Sequence, residues 1–119
     1  MNQINIPILK IIEIPIFIKK LDLDLDTIII NNTSLLIKID YPFEEAFIYK
    51  FYSKTGSFSK KDILNNILTA FYRRYNRENI HPFLKIKDLI LEEIFYIKNK
   101  ICISVSDDLP DDLNENLCK

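Results

Sequence analysis

The run from Phe58 to Tyr75 limits the folds open to this chain more than any other segment. Ile63, Leu64, Ile67, Leu68, Phe71, Tyr72 and Tyr75 recur at intervals of three and four. Wound into an α-helix they make one continuous apolar stripe, whereas on a strand they would scatter over both faces. The start of the helix is marked twice. Ser59 is a good N-cap with Asp62 three residues on, a pair that resembles a capping box, and Phe58 ahead of the cap can meet Ile63 as a hydrophobic staple. Arg73, Arg74 and Arg77 crowd the C-terminal turn, where the helix dipole favours cations by a few tenths to about 1 kcal/mol each. Asn79 and His81-Pro82 then stop it. The pattern predicts a helix from Lys60 to about Asn76 whose greasy side needs a second layer to lie on.

The flanking residues supply candidates for that layer. Leu35, Ile37 and Ile39 alternate within Ser34–Asp40, and Phe47, Tyr49 and Phe51 alternate within Ala46–Ser53, with Tyr41-Pro42 breaking the chain between them. Gly56, the only glycine, lies where Lys54-Thr55-Gly56-Ser57 must turn, and a positive φ costs it little. Residues 86–106 suit a helix through Ile86, Leu89, Ile90, Ile94 and Ile97, and suit strands with Leu89, Leu91, Phe95 and Ile97 on one face. The turn Lys98-Asn99-Lys100 and the alternating Ile101, Ile103 and Val105 favour a hairpin. Upstream, Ile4, Ile6 and Ile8 alternate, and so do Ile12, Ile14, Ile16 and Ile18; Pro7 and Pro15 assign these extended pieces to a sheet edge or a wrapping arm. Leu21–Asp26 sets three leucines against three aspartates, Ile28–Ile30 continues the strand, and Asn31-Asn32 offers a tight turn.

The expected fold class is therefore α+β: an antiparallel β-sheet covered on one face by a single long helix. A β-rich N-terminal arm or hairpin takes residues 1–33, a ββαββ core takes 34–106, and an acidic tail takes 107–119. A β-grasp arrangement is one candidate topology. At 119 residues the chain makes one domain, large enough to bury about two-thirds of its unfolded surface without staples.

Composition narrows the setting. Isoleucine is abundant while valine appears once, lysine and asparagine are common, and arginine is confined to three positions. Those favoured residues are encoded by AT-rich codons, which large DNA viruses of protists, some protists and some reduced bacteria use. The net charge of −1 gives no global field toward nucleic acid or an anionic membrane. Residues 107–119 carry −4, which leaves +3 on the rest. Cys102 and Cys118 are expected as reduced thiols in an intracellular, non-secreted protein, since the start shows no basic n-region. The apolar run Ile4–Ile18 is broken by Pro7, Lys10, Glu13 and Pro15 and is too short for a bilayer, so no membrane is expected.

Tyr41-Pro42, Gly56, Phe58-Ser59, Asp62-Ile63-Leu64, Ile67, Phe71, Tyr75, Leu89, Leu91 and Glu92 together resemble an uncharacterised family of small α+β proteins from large (giant) DNA viruses and some eukaryotes. The resemblance spans the central block and omits the N-terminal arm. It implies a viral setting and carries no activity.

Residue sets for catalysis are thin. Asp22, Asp24 and Asp26 open like an EF-hand loop, but its glycine and glutamate positions hold Thr27 and Thr33. Glu44-Glu45 and Glu92-Glu93 are sequence neighbours, which point to opposite faces of a strand; Glu92 and Glu93 are expected at a rim position or in a salt bridge to a lysine, with partial burial of one of them the lesser alternative. His81, Cys102 and Cys118 lack metal-site spacing, and a Cys102–His81 nucleophile pair has no local support. Arg73, Arg74, Tyr75 and Arg77, with Lys85 and Lys87 nearby, form the only basic-aromatic cluster, able in principle to meet phosphates and stack a base. The leading expectation is a non-enzymatic binding or structural module acting through protein–protein contact, with a protein partner or as a homo-oligomer, and with no catalytic, metal or cofactor site. The alternative is a nucleic-acid accessory protein using Arg73, Arg74 and Arg77.

Overall fold

The three-and-four run becomes the long helix and the period-two runs after residue 33 become strands in the structure, a computed structural model that describes residues 2–20, 23–43, 45–77 and 85–107. In chain order the elements are β1 (Asn2–Ile4), β2 (Leu9–Lys10), α1 (Ile14–Phe17), β3 (Ile28–Ile30), β4 (Ser34–Ile39), β5 (Phe47–Tyr52), β6 (Phe58–Ser59), α2 (Lys60–Arg77), β7 (Leu89–Ile97) and β8 (Lys100–Asp107). Short 3₁₀ turns occupy Ile11–Glu13, Leu23–Asp26 and Ile86–Asp88. The protein is thus mixed α+β, with two helices and a sheet of several strands.

The start of α2 is built as its sequence implies. The Ser59 amide donates to Asp62 Oδ2 at 2.9 Å and the Asp62 amide donates to Ser59 Oγ at 3.1 Å. That reciprocal pair satisfies two backbone donors that a helix end otherwise leaves open. Phe58 and Ile63 are both buried beside it, and Gly56 takes φ +81 in the turn before it. Ser59→Ala is expected to lower stability by about 1 kcal/mol, read as a fall in the urea midpoint without a change in slope. Ile63, Leu64, Ile67, Ala70 and Phe71 lose all solvent contact along the stripe.

The main sheet runs β1-β7-β8-β4-β5, with β2 also on the free side of β7. It is mixed and not antiparallel. β4/β5 and β7/β8 are antiparallel hairpins, but β4 and β8 lie side by side in parallel, Ile37 opposite Ile101. The physical reason is the connection. A short connection closes each antiparallel hairpin, whereas the crossover through α2 joins β5 to β7 and lets the second hairpin enter the sheet with β8 running the same way as β4. The first and last strands of 34–107 therefore meet in the middle of the sheet.

The N-terminal third departs most from its sequence pattern. Ile12, Ile14, Ile16 and Ile18 do not form a strand: Ile11 and Ile14 are fully buried while Ile16 is 69% exposed. A 3₁₀ turn followed by α1 puts Ile11, Ile14 and Ile18 on one face, and Pro15 sits at the start of α1, where its missing N–H is no loss. Within the Leu/Asp alternation, Leu23–Asp26 likewise closes into a 3₁₀ turn that buries Leu25, and Leu21 and Asp22 lie outside the described residues. β3 pairs with β6 in a separate two-stranded sheet, so Asn31-Asn32 makes no β3/β4 hairpin. Asn32 Oδ1 instead accepts from the Ser34 amide at 3.0 Å and turns the chain into β4. The arm is thus not a hairpin; β1 and β2 extend the main sheet.

β7 carries a bulge at Glu92, with Leu91 opposite Val105 and Glu93 opposite Ser104. One inserted residue reverses the alternation beyond it. Leu89, Leu91 and Ile94 therefore share the buried face, and Phe95 and Ile97 move to the other, contrary to unbroken periodicity. The core gathers Leu35, Ile37 and Ile39 from β4, Phe51 from β5, these β7 residues, Ile101 from β8 and the α2 stripe, with Ile11, Ile14, Leu25 and Phe43 also in the cover. Asp107 belongs to β8, opposite Leu89, and is not tail; the helix-ending residues 79–82 and the acids from Asp108 on lie outside the described residues.

Candidate functional site

The arginine cluster sits where the last turns of α2 pass over β5. The structure divides its four residues. Arg74 is 2% exposed, with its guanidinium carbon 3.7 Å from the Phe47 ring centre and 5.0 Å from that of Phe43. Tyr75 packs edge-on against Phe43 with ring centres 5.3 Å apart. Both side chains thus belong to the packing between α2 and the sheet. Arg73 and Arg77, four residues apart, stay on the exposed side, with the Arg73 guanidinium 5.3 Å from the Phe51 ring centre. Lys85 and Lys87 are exposed.

Below the two exposed arginines lies a groove of about 440 Å³ lined by Tyr49, Arg73, Asn76 and Arg77. Tyr49 lies between Phe47 and Phe51 on the inner side of β5, and its hydroxyl is buried with no hydrogen-bond partner among the described residues. Leaving such a group unpaired costs about 1–3 kcal/mol. The sequence sets Tyr49 with Phe47 and Phe51 on one face of the strand and assigns it no role. The available signal was the aromatic alternation Phe47, Tyr49, Phe51, whose inner face must meet whatever the helix presents, here a row of arginines.

Burial, and then the field of the Asp88 carboxylate, pushes the Tyr75 hydroxyl up to about 12. Tyr41 is pushed up to about 12 by burial first, then by donating its hydrogen bond to Asp107 and by the Asp107 charge. An unfolded tyrosine titrates near about 10. The fold thus favours the neutral phenols, so their contribution is fully present below about pH 10 and is lost as pH rises through about 12. Urea midpoints measured across this alkaline window should fall, and Tyr75→Phe with Tyr41→Phe should flatten the fall.

A second candidate surface is the sheet face turned away from α2. Strand register lines up Phe95, Cys102, Lys38 and Ile48 in one row, and Ile97, Lys100, Leu36 and Lys50 in the next. Ile48, Ile97 and Tyr52 on this face are 54%, 51% and 74% exposed. Lys38 reaches Asp40 at 3.8 Å, and Lys50 lies over the Tyr52 ring at 5.3 Å. At the bulge, Glu92 is half-buried and accepts a hydrogen bond from Ser106 Oγ at 2.8 Å; Glu93, also half-buried, opposes Ser104.

Among the described residues the other sequence candidates do not converge. Asp24 is exposed and accepts from Lys60 Nζ, and Asp22, Glu44, His81 and Cys118 lie outside the described residues. Among the described residues no three His, Cys, Asp or Glu side chains come together as metal ligands, and no helix is long and apolar enough to cross a membrane. No protein family, curated protein or solved structure matches this chain, so the viral family resemblance rests on the residues quoted for it.

Proposed function

We propose that this protein is a non-enzymatic interaction module whose outer sheet face docks a protein partner that presents carboxylates among apolar side chains. One observation carries the reading. Four strands bring Leu36, Ile48, Phe95 and Ile97 together with Lys38, Lys50 and Lys100 on a single face, and its outermost isoleucines are about half exposed. Contiguous exposed apolar surface marks an interaction site, and the interspersed lysines select an acidic partner and speed its encounter. A β-grasp-like core over 34–107 is supported by the order β5-β4-β8-β7, with the first and last strands parallel at the centre and α2 linking the two hairpins. Cys102 on the docking face, a free thiol among the described residues, suits a reducing, intracellular setting.

The test uses the chain and two variants as bait: Ile48→Glu with Phe95→Glu on the face, and Ile16→Glu remote from it. The expected result is a partner retained by the wild type and Ile16→Glu, released by salt and lost by the face variant. Light scattering on the same samples covers self-association. A monomer that captures nothing face-dependent overturns the proposal. The nucleic-acid reading keeps Arg73 and Arg77 as contacts, while the burial of Arg74 and the packing of Tyr75 take away half of its cluster.

A further inference from the structure

We infer that the groove between α2 and β5 is a binding site for a phosphate-bearing ligand of nucleotide size, held by Arg73 and Arg77 with the Tyr49 hydroxyl as a further donor. It is separate from the outer sheet face, because Tyr49 alternates with Ile48 and Lys50 and so lies on the opposite side of β5.

Three features point to that ligand. Arg73 and Arg77 stand one helical turn apart on the same side of α2 and both line the groove, and neither has an ion pair among the described residues. Two guanidinium forks over one cavity match the charge and oxygen geometry of a phosphate better than those of a single carboxylate. The C-terminal helix dipole opposes an anion with only about half a charge, which two full charges outweigh.

The floor is the second feature. Arg74 covers the Phe47 ring and Arg73 approaches the Phe51 ring, leaving Tyr49 between them as the aromatic member that lines the cavity. Its ring gives a planar group something to stack on, and its hydroxyl is a buried donor without a partner among the described residues. The arginine side chains at the groove are long enough to swing onto a ligand. Asn76 adds an amide that can donate or accept at the groove wall.

Size is the third. A volume of about 440 Å³ falls within the range of about 300–1,000 Å³ usual for small-molecule sites. With Arg74 and Tyr75 turned inward, the exposed arginines at the end of α2 are Arg73 and Arg77 alone, a pair that suits a single ligand.

Calorimetry on the full chain would use three probes: inorganic pyrophosphate, adenosine diphosphate and a single-stranded oligonucleotide of about a dozen nucleotides. Adenosine diphosphate should bind with one-to-one stoichiometry, about tenfold tighter than pyrophosphate because of the stacked ring. Arg73→Ala and Arg77→Ala should each weaken it about tenfold or more, and Tyr49→Phe about threefold or more. Urea midpoints run alongside should show all three variants folded. Equal binding of pyrophosphate and adenosine diphosphate, heat that persists in both arginine variants, or no binding at about 10 mM ligand would each overturn the assignment. So would an oligonucleotide that binds while adenosine diphosphate does not, since that is the behaviour of an extended nucleic-acid surface.

Discussion

Arg74→Ala is expected to lower the unfolding free energy by about 2–4 kcal/mol, the largest effect of any charged residue among those described. Arg74 is the largest side chain with almost no solvent exposure, and its guanidinium lies on Phe47 and close to Phe43. Removing it deletes two desolvated cation–π contacts and opens a hole between α2 and β5. A cation–π contact is worth up to about 2 kcal/mol or more when water is excluded, and the lost packing of the long stem adds to that. Arg74→Lys should recover less than half of the loss, because an ammonium cannot lie flat on two rings and is more strongly hydrated. Arg73→Ala, one position away on the exposed side, should change stability by no more than about 1 kcal/mol. Urea titrations followed by circular dichroism would separate the two. Similar losses at Arg73 and Arg74 would mean that the cluster is not divided into an inward and an outward half.

Phe71→Ala should cost about 3–5 kcal/mol. Phe71 is fully buried at the middle of the α2 stripe, 6.3 Å centre to centre from Phe43, in the same core as β4, β7 and β8. Three strands and a helix share that core with little freedom to collapse into the space, which puts the site toward the costly end of large-to-small substitutions. Phe71→Leu keeps most of the volume and should cost about 1–1.5 kcal/mol. Phe43 touches both Phe71 and Arg74, so the double variant Phe71→Leu with Arg74→Ala should depart from additivity by about 0.5 kcal/mol or more. Unfolding measured without partner or ligand makes these readings independent of what the protein binds.

The parts legible in the sequence are those in which local chemistry and tertiary need agree. Ser59, Asp62, Phe58 and Ile63 mark the start of α2 because capping uses only residues within five positions of one another. β4 and β5 were readable because one face is buried and the alternation is unbroken. The N-terminal third was not, for an identifiable reason. An isoleucine at every second position from Ile12 to Ile18 satisfies a strand, but Ile11, Ile14 and Ile18 also satisfy a helix, and packing against α2 decided between them. Pro15 fitted both readings as well, as a sheet-edge residue or as a first-turn helix residue. The parallel pairing of β4 with β8 joins residues more than sixty positions apart, and no local pattern records it.

The candidate sites were legible in type and not in geometry. Arg73, Arg74, Tyr75 and Arg77 stood out by composition, but only the roughly 100° step between successive helical residues and the position of β5 separate Arg74 from Arg73. The Glu92 bulge shows the limit at strand level. It moved Phe95 and Ile97 to the outer face, where they join Leu36 and Ile48, and so created much of the proposed docking surface. Lys60 offers a parallel case: only 5% exposed at the first position of α2, it donates to Asp24, a contact across 36 positions that the Leu/Asp alternation does not reveal.

The abundance of isoleucine makes the two faces of the sheet directly observable. Isoleucine methyl groups labelled in an otherwise deuterated protein can be titrated with a neutral soluble paramagnetic compound, at a concentration where the chain is monomeric. Strong attenuation is expected at Ile48 and Ile97, and protection at Ile37, Ile67, Ile94 and Ile101. If Ile48 and Ile97 were as protected as Ile37, or if Ile37 and Ile101 were attenuated like a surface residue, the sheet would not have the buried and open faces described, and the docking role drawn from them would fail.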